Sequence, residues 1–98
     1  MTITKEKNGT ALTISLEGRL DTTTAPELEE ELKTCLDDVA DLTVDLGKLD
    51  YMSSAGLRVM LSAQKRMNRQ GSMAVVNVND VLMEIFEVTG FDSILNIK

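Results

Sequence analysis

The stretch DLTVDLGKLDYMSSAGLRVML, residues 41–61, changes its periodicity part-way along. At its start Leu42, Val44 and Leu46 alternate with Thr43 and Asp45. Period two marks a strand with one buried face. From Ser54 the spacing lengthens: Leu57, Met60, Leu61 and Gln64 fall on one side of a helix predicted over Ser54–Arg69. Gly71 is the expected stop. A strand leading through a short link into a helix is the repeating unit of an α/β sheet.

The flanking segments extend this pattern. TITKEKNGTALTISLEG (residues 2–18) holds two strand-like runs around Asn8-Gly9, with Leu12, Ile14 and Leu16 alternating with Thr13 and Ser15. Asn-Gly predicts a type I′ hairpin, which needs positive φ at both central residues. In TAPELEEELKTCLDD (residues 24–38), Thr24 and Glu27 are placed for a capping box, and Pro26 lies in the first turn. Leu28, Leu32, Cys35 and Leu36 share one helical face, and Glu29, Glu30 and Glu31 point elsewhere.

SMAVVNV (residues 72–78) is nearly continuous in apolar residues, the pattern of a central, well-covered strand. Asn79 or Asp80 caps a third helix, DVLMEIFEV, with Leu82, Ile85 and Phe86 inward and Gly90 as its stop. SILNI (residues 93–97) reads as a short fifth strand at the sheet edge. The expected order is β-β-α-β-α-β-α-β. This is an α/β fold in one domain, 1–98: a mixed sheet with a parallel core, an N-terminal antiparallel hairpin and helices packed on it.

Composition excludes several functions. The chain has 98 residues, 43% of them apolar and 3% aromatic, so its core is aliphatic. A formal charge of −6 speaks against nucleic acid, which needs clustered cations. The one basic cluster, Lys65, Arg66 and Arg69, reads as a solvated helix face near a C-terminus. There is no histidine, and Cys35 is the single cysteine, so no internal disulfide and no Cys/His metal site can form. Cys35 reads as a small buried hydrophobe. Asp21, Asp45 and Asp50 show no metal-loop spacing. No cofactor is expected.

MTITKEKNG lacks the apolar stretch of a signal peptide, and no segment approaches a transmembrane span. The expected location is cytoplasmic, without membrane insertion. A serine nucleophile has no histidine to activate it, and no Walker-type loop is present, so no catalytic residue is assigned and an enzyme is not expected.

Two loops stand out: GRLDTTTAP (Gly18–Pro26) and LDYMSSAGLR (Leu49–Arg58). Both follow strands expected to be parallel neighbours, so both belong to the edge where α/β sheets receive ligands and partners. Both are rich in hydroxyls: Thr22, Thr23, Thr24, Ser53 and Ser54. On composition alone these are helix-capping residues.

At these loops the sequence resembles the STAS domain family, specifically the single-domain bacterial anti-sigma factor antagonists. GRLD (Gly18–Asp21) and SSAGL (Ser53–Leu57) stand where the family carries "G-x-L-D" and "D-[ST]-[ST]-G-L". VDLGKLDYMSSAGLRVML and NVNDVLMEIFEVTGFDSIL extend the likeness over essentially the whole chain.

The resemblance implies a phospho-regulated protein-binding switch. It would sequester an anti-sigma factor of serine-kinase type and so release a sigma factor for transcription. The kinase would phosphorylate one serine, and a serine phosphatase would reverse it. Counting back from Gly56, that serine is Ser54, with Ser53 the second candidate. The implied partner-binding residues are Asp21, Thr22, Thr23, Thr24, Ser53, Ser54, Gly56 and Arg58. Ser53 stands where many members carry aspartate, and Ala55 takes the next hydroxyl position. Two other readings are an accessory subunit of a membrane transporter, working without phosphorylation, and a small-ligand sensor built on the same loops.

Overall fold

The computed structural model describes residues 1–98. Its elements are β1 (Thr2–Asn8), β2 (Ala11–Leu20), α1 (Ala25–Cys35), β3 (Asp41–Met52), α2 (Ser54–Gln70), β4 (Ser72–Val76) and α3 (Asp80–Thr89). A 3-10 turn follows at Phe91–Ser93. The sheet runs in the order β1-β2-β3-β4. β1 pairs antiparallel with β2, and the other neighbours are parallel.

The hairpin forms in the expected place but with a different turn. Asn8 pairs with Ala11, so the central residues are Gly9 and Thr10. Gly9 has φ +65°, and Asn8 and Thr10 have no positive φ. Positive φ at the first central position alone is the type II′ pattern, which places glycine where type I′ would have placed Asn8.

Leu12, Ile14 and Leu16 on β2, Leu42 and Val44 on β3, and Met73 and Val75 on β4 share one core with helix residues Leu28, Met60, Met67, Leu82 and Phe86. The residues between them, among them Thr13, Ser15, Thr43 and Asp45, remain half-buried on the other face. The sheet is therefore covered on one side only. This explains the clean alternation in β2 and the first half of β3, which a parallel sheet covered on both faces would lack.

β4 is not the central strand its apolar run suggested. It alternates between buried and half-buried positions at the edge of the four named strands. The expected fifth strand is reduced to a single parallel bridge, Val75 to Ile97. The preceding residues instead close the 3-10 turn, with Leu95 N–H donating to the Phe91 carbonyl at 2.8 Å.

Two extra residues in β3 shape the functional edge. Ser15 pairs with Asp45 but Glu17 with Lys48, and Gly18 pairs with Leu49 but Arg19 with Tyr51. Each irregularity inserts one residue in β3 relative to β2. The buried side chains accordingly step by three, at Leu46, Leu49 and Met52, instead of by two. Bulges twist a strand and re-aim its side chains. Gly18 sits at the second irregularity with φ +107°, a conformation that side-chain-bearing residues rarely adopt.

Candidate functional site

β2 and β3 run further than their alternating segments indicated, ending paired at Leu20 and Met52. The two singled-out loops are correspondingly short: Asp21–Thr24 before α1, and Ser53 alone before α2. Ser53 N–H donates to the Leu20 carbonyl at 2.9 Å, which ties the two loops together at one sheet edge.

Asp21 organises the first loop. Its Oδ1 accepts from the Thr23 N–H at 3.0 Å, the Thr24 N–H at 3.1 Å and the Thr23 hydroxyl at 2.8 Å. The Thr23 hydroxyl, followed by the backbone donors, holds the Asp21 carboxyl below its ordinary range. The Thr24 hydroxyl donates to the Arg19 carbonyl at 2.7 Å and accepts from the Asp21 N–H at 2.8 Å. The expected capping box is therefore absent: Thr24 is the N-cap residue, but its hydroxyl faces back into the loop and makes no capping bond to the helix. Thr22 is exposed.

The adjacent serines occupy different positions. Ser53 is the N-cap of α2, with extended backbone, and its hydroxyl accepts from the Gly56 N–H at 3.4 Å. Its carbonyl accepts from the Leu57 N–H at 3.0 Å. Ser54 is the first helical residue, is exposed, and its hydroxyl has no hydrogen-bond partner within the chain. The first turn of α2 carries no acidic residue, so none of its own side chains offsets the positive end of the helix dipole.

Gly56 lies beneath this corner, not on it. It is buried, and a Cβ there would stand 2.8 Å from Leu20 Cγ and from Met52 Cγ. Its small size serves the packing of α2 onto the strand ends. Arg58 is exposed one turn beyond Ser54. Leu57, Met60 and Gln64 are buried as the helical spacing predicted, but Leu61 is half-buried, and Val59, Ala63 and Met67 complete the buried face.

Sequence reasoning placed Asn79 as a candidate cap of α3 but missed its second contact, and it missed Arg19 with Tyr51 and Asn77. The Arg19 guanidinium lies 4.5 Å from the centroid of the Tyr51 ring, with its Nε 3.8 Å from the Asp21 carboxylate. Asn79 caps α3 by accepting from Leu82 N–H at 2.9 Å and also donates to the Leu49 carbonyl at 3.0 Å. Asn77, with φ +58°, donates to Asp45 at 3.0 Å. Asn-Val-Asn was the available signal, since asparagine favours both helix caps and the left-handed region.

The family model described as "Mlab, STAS domain" matches residues 3–96. The chain belongs to the STAS domain family. BtrV of Bordetella bronchiseptica is 38% identical over 96 residues, covering 96% of this chain and 83% of the relative. The anti-sigma-B factor antagonist of Bacillus subtilis is 31% identical over 94 residues, covering 95% and 86%. Among solved structures, an anti-sigma factor antagonist from Mycobacterium paratuberculosis superposes with a TM-score of 0.87 at 23% identity, covering 98% of this chain and 83% of that one. The STAS fold expected from the motifs is thus the fold observed, and curated relatives are anti-sigma factor antagonists.

Cys35 is half-buried instead of fully inside, and burial pushes its thiol pKa up, disfavouring the thiolate. No helix is long and apolar enough to cross a membrane.

Proposed function

We propose that this STAS domain is an anti-sigma factor antagonist switched by phosphorylation at Ser54. It binds an anti-sigma factor of serine-kinase type, and this binding releases a sigma factor for transcription. The kinase phosphorylates Ser54, and a serine phosphatase restores the binding form. The reading rests on the difference between the two serines. Ser53 is engaged as the cap of α2, whereas the Ser54 hydroxyl is exposed and unbonded. The antagonist relatives above 30% identity support the general role.

The physical logic is one of asymmetry between fold and interface. A phosphate adds about −1.5 to −2 charges. At the first residue of α2 it meets the positive end of the helix and no acidic residue in the helix's own first turn, so the helix tolerates it. A partner packed against the same corner meets a bulky dianion that must shed water. Asp21, Thr22, Thr23, Thr24, Ser53 and Arg58 surround this corner as the proposed contact surface. Gly56 supports it from below.

Ser54→Asp is expected to weaken binding to the cognate anti-sigma factor at least tenfold, with the far-UV circular dichroism unchanged. Equal binding by wild type and Ser54→Asp sinks the switch. Incubation with the kinase and ATP is expected to add one phosphate, mapped to Ser54 by mass spectrometry and absent from Ser54→Ala. Co-purification of a transporter ATPase in place of a small kinase would move the chain to the accessory-subunit reading.

A further inference from the structure

α2 differs in charge from the rest of the molecule. It carries Arg58, Lys65, Arg66 and Arg69, four of the ten basic residues, and none of the sixteen acidic ones. The remainder has six basic residues against sixteen acidic, a balance of −10. One of the four cations is accounted for within the fold. Arg66 donates to Asp37 at 2.8 Å, to the Leu32 carbonyl and to Gln70. Arg58, Lys65 and Arg69 have no ion pair and are exposed.

These three residues are aligned. Positions 58, 62, 65 and 69 recur at four, three and four residues, so Arg58, Ser62, Lys65 and Arg69 form one stripe about 16 Å long. Ser54, four residues before Arg58, stands at its head. At its other end Arg69 borders the groove between α1 and α2, whose floor is Leu32, Leu36, Val59 and Ala63.

We propose that this stripe is the track on which an acidic segment of the partner protein docks. The inference rests on the antagonist reading above and adds the chemistry of the partner: a helix or strand presenting carboxylates to Arg58, Lys65 and Arg69. Charge complementarity selects this occupant. A nucleic acid duplex is wider than the spacing of neighbouring helices, about 8–10 Å. Laid on α2, it would face the glutamates of α1, and the chain outside α2 repels it. A single acidic element fits on α2 alone. Continuity with Ser54 gives the switch a second component, because a phosphate at the head of the stripe repels the carboxylates and engages Arg58 at i+4.

The test uses the triple variant Arg58→Glu, Lys65→Glu, Arg69→Glu and its milder glutamine counterpart, each with its fold checked by circular dichroism. Surface plasmon resonance against the cognate anti-sigma factor is expected to show a loss of about 30-fold or more for the glutamate variant. The loss falls mainly on the association rate and shrinks as salt rises. The glutamine variant is expected to lie between. Binding within threefold of wild type in both variants overturns the proposal.

If the anti-sigma factor fails to bind even wild type, the antagonist reading fails separately. The stripe is then judged by amide chemical shifts with a synthetic glutamate-rich helical peptide and with a DNA duplex. Shifts confined to α2 with the peptide support acidic docking. No peptide shifts, or stronger shifts with DNA, overturn it. A concentration-dependent dimer that the glutamate variant abolishes gives the stripe to a second copy of this chain and likewise overturns it.

Discussion

Ser53 and Ser54 are neighbours in sequence, yet one closes a helix and the other faces solvent. Ser53→Ala is expected to destabilise the fold by about 0.5–1 kcal/mol through loss of the cap, at the lower end of the range because the bond is long. Ser54→Ala is expected to stay within about 0.5 kcal/mol of wild type. Urea denaturation of the two variants checks both, and a larger loss for Ser54→Ala would contradict the assignment. Gly56→Ala tests the packing under the same corner. Its methyl meets Leu20 and Met52 close to their backbones, so a cost of about 1–3 kcal/mol is expected in the same assay. The serines, Asp21 and the threonines were visible in the sequence as candidates. Their division of labour was not, because capping is decided by which hydroxyl points back at which N–H.

The longest mismatch between expectation and structure lies within β3. Its apolar spacing changes from two to three after Leu46, so a reading by period two ends the strand at that point. The structure continues it through two inserted residues to Met52, because β2 continues beside it and supplies the pairing. The extension carries the serine corner out to the sheet edge. Both glycine stops stand at the expected helix ends, but only one closes its helix in the left-handed conformation. Gly90 has φ +79° and closes α3 as a left-handed cap. Gly71 closes α2 with extended φ, and its reason is steric: a Cβ there would lie 1.8 Å from the Ala40 carbonyl oxygen. Gly71→Ala must therefore displace backbone, not a flexible side chain. A loss of roughly 3 kcal/mol or more is expected, exceeding that of Gly56→Ala by thermal or urea unfolding.

Across the whole molecule, Asp38 ties the link after α1 to the sheet, and Asp21 organises its own loop. Asp38 is held below its ordinary range by its bond to Lys7 of β1, as Asp21 is by the Thr23 hydroxyl. For both, the folded pKa lies below the unfolded value of about 3.9. Their stabilisation is therefore present above about pH 4 and is lost as pH falls through the folded values. The thermal midpoint is expected to drop between about pH 4 and 2, and Asp21→Asn to flatten that drop. An unchanged slope would separate Asp21 from acid stability.

The alternation of strands and helices, the aliphatic core and the two hydroxyl-rich loops were determined by the sequence alone, since each follows from local spacing and residue chemistry. Tertiary structure decided which face of the sheet is covered, that β4 lies at an edge, and that Gly56 is packed beneath the corner instead of exposed on it. It also paired Arg66 with Asp37 and left Arg58, Lys65 and Arg69 of α2 without ion pairs. The physical reason is the same in each case: burial, register and ion pairing depend on neighbours distant in the chain, and no local pattern records which neighbour will arrive.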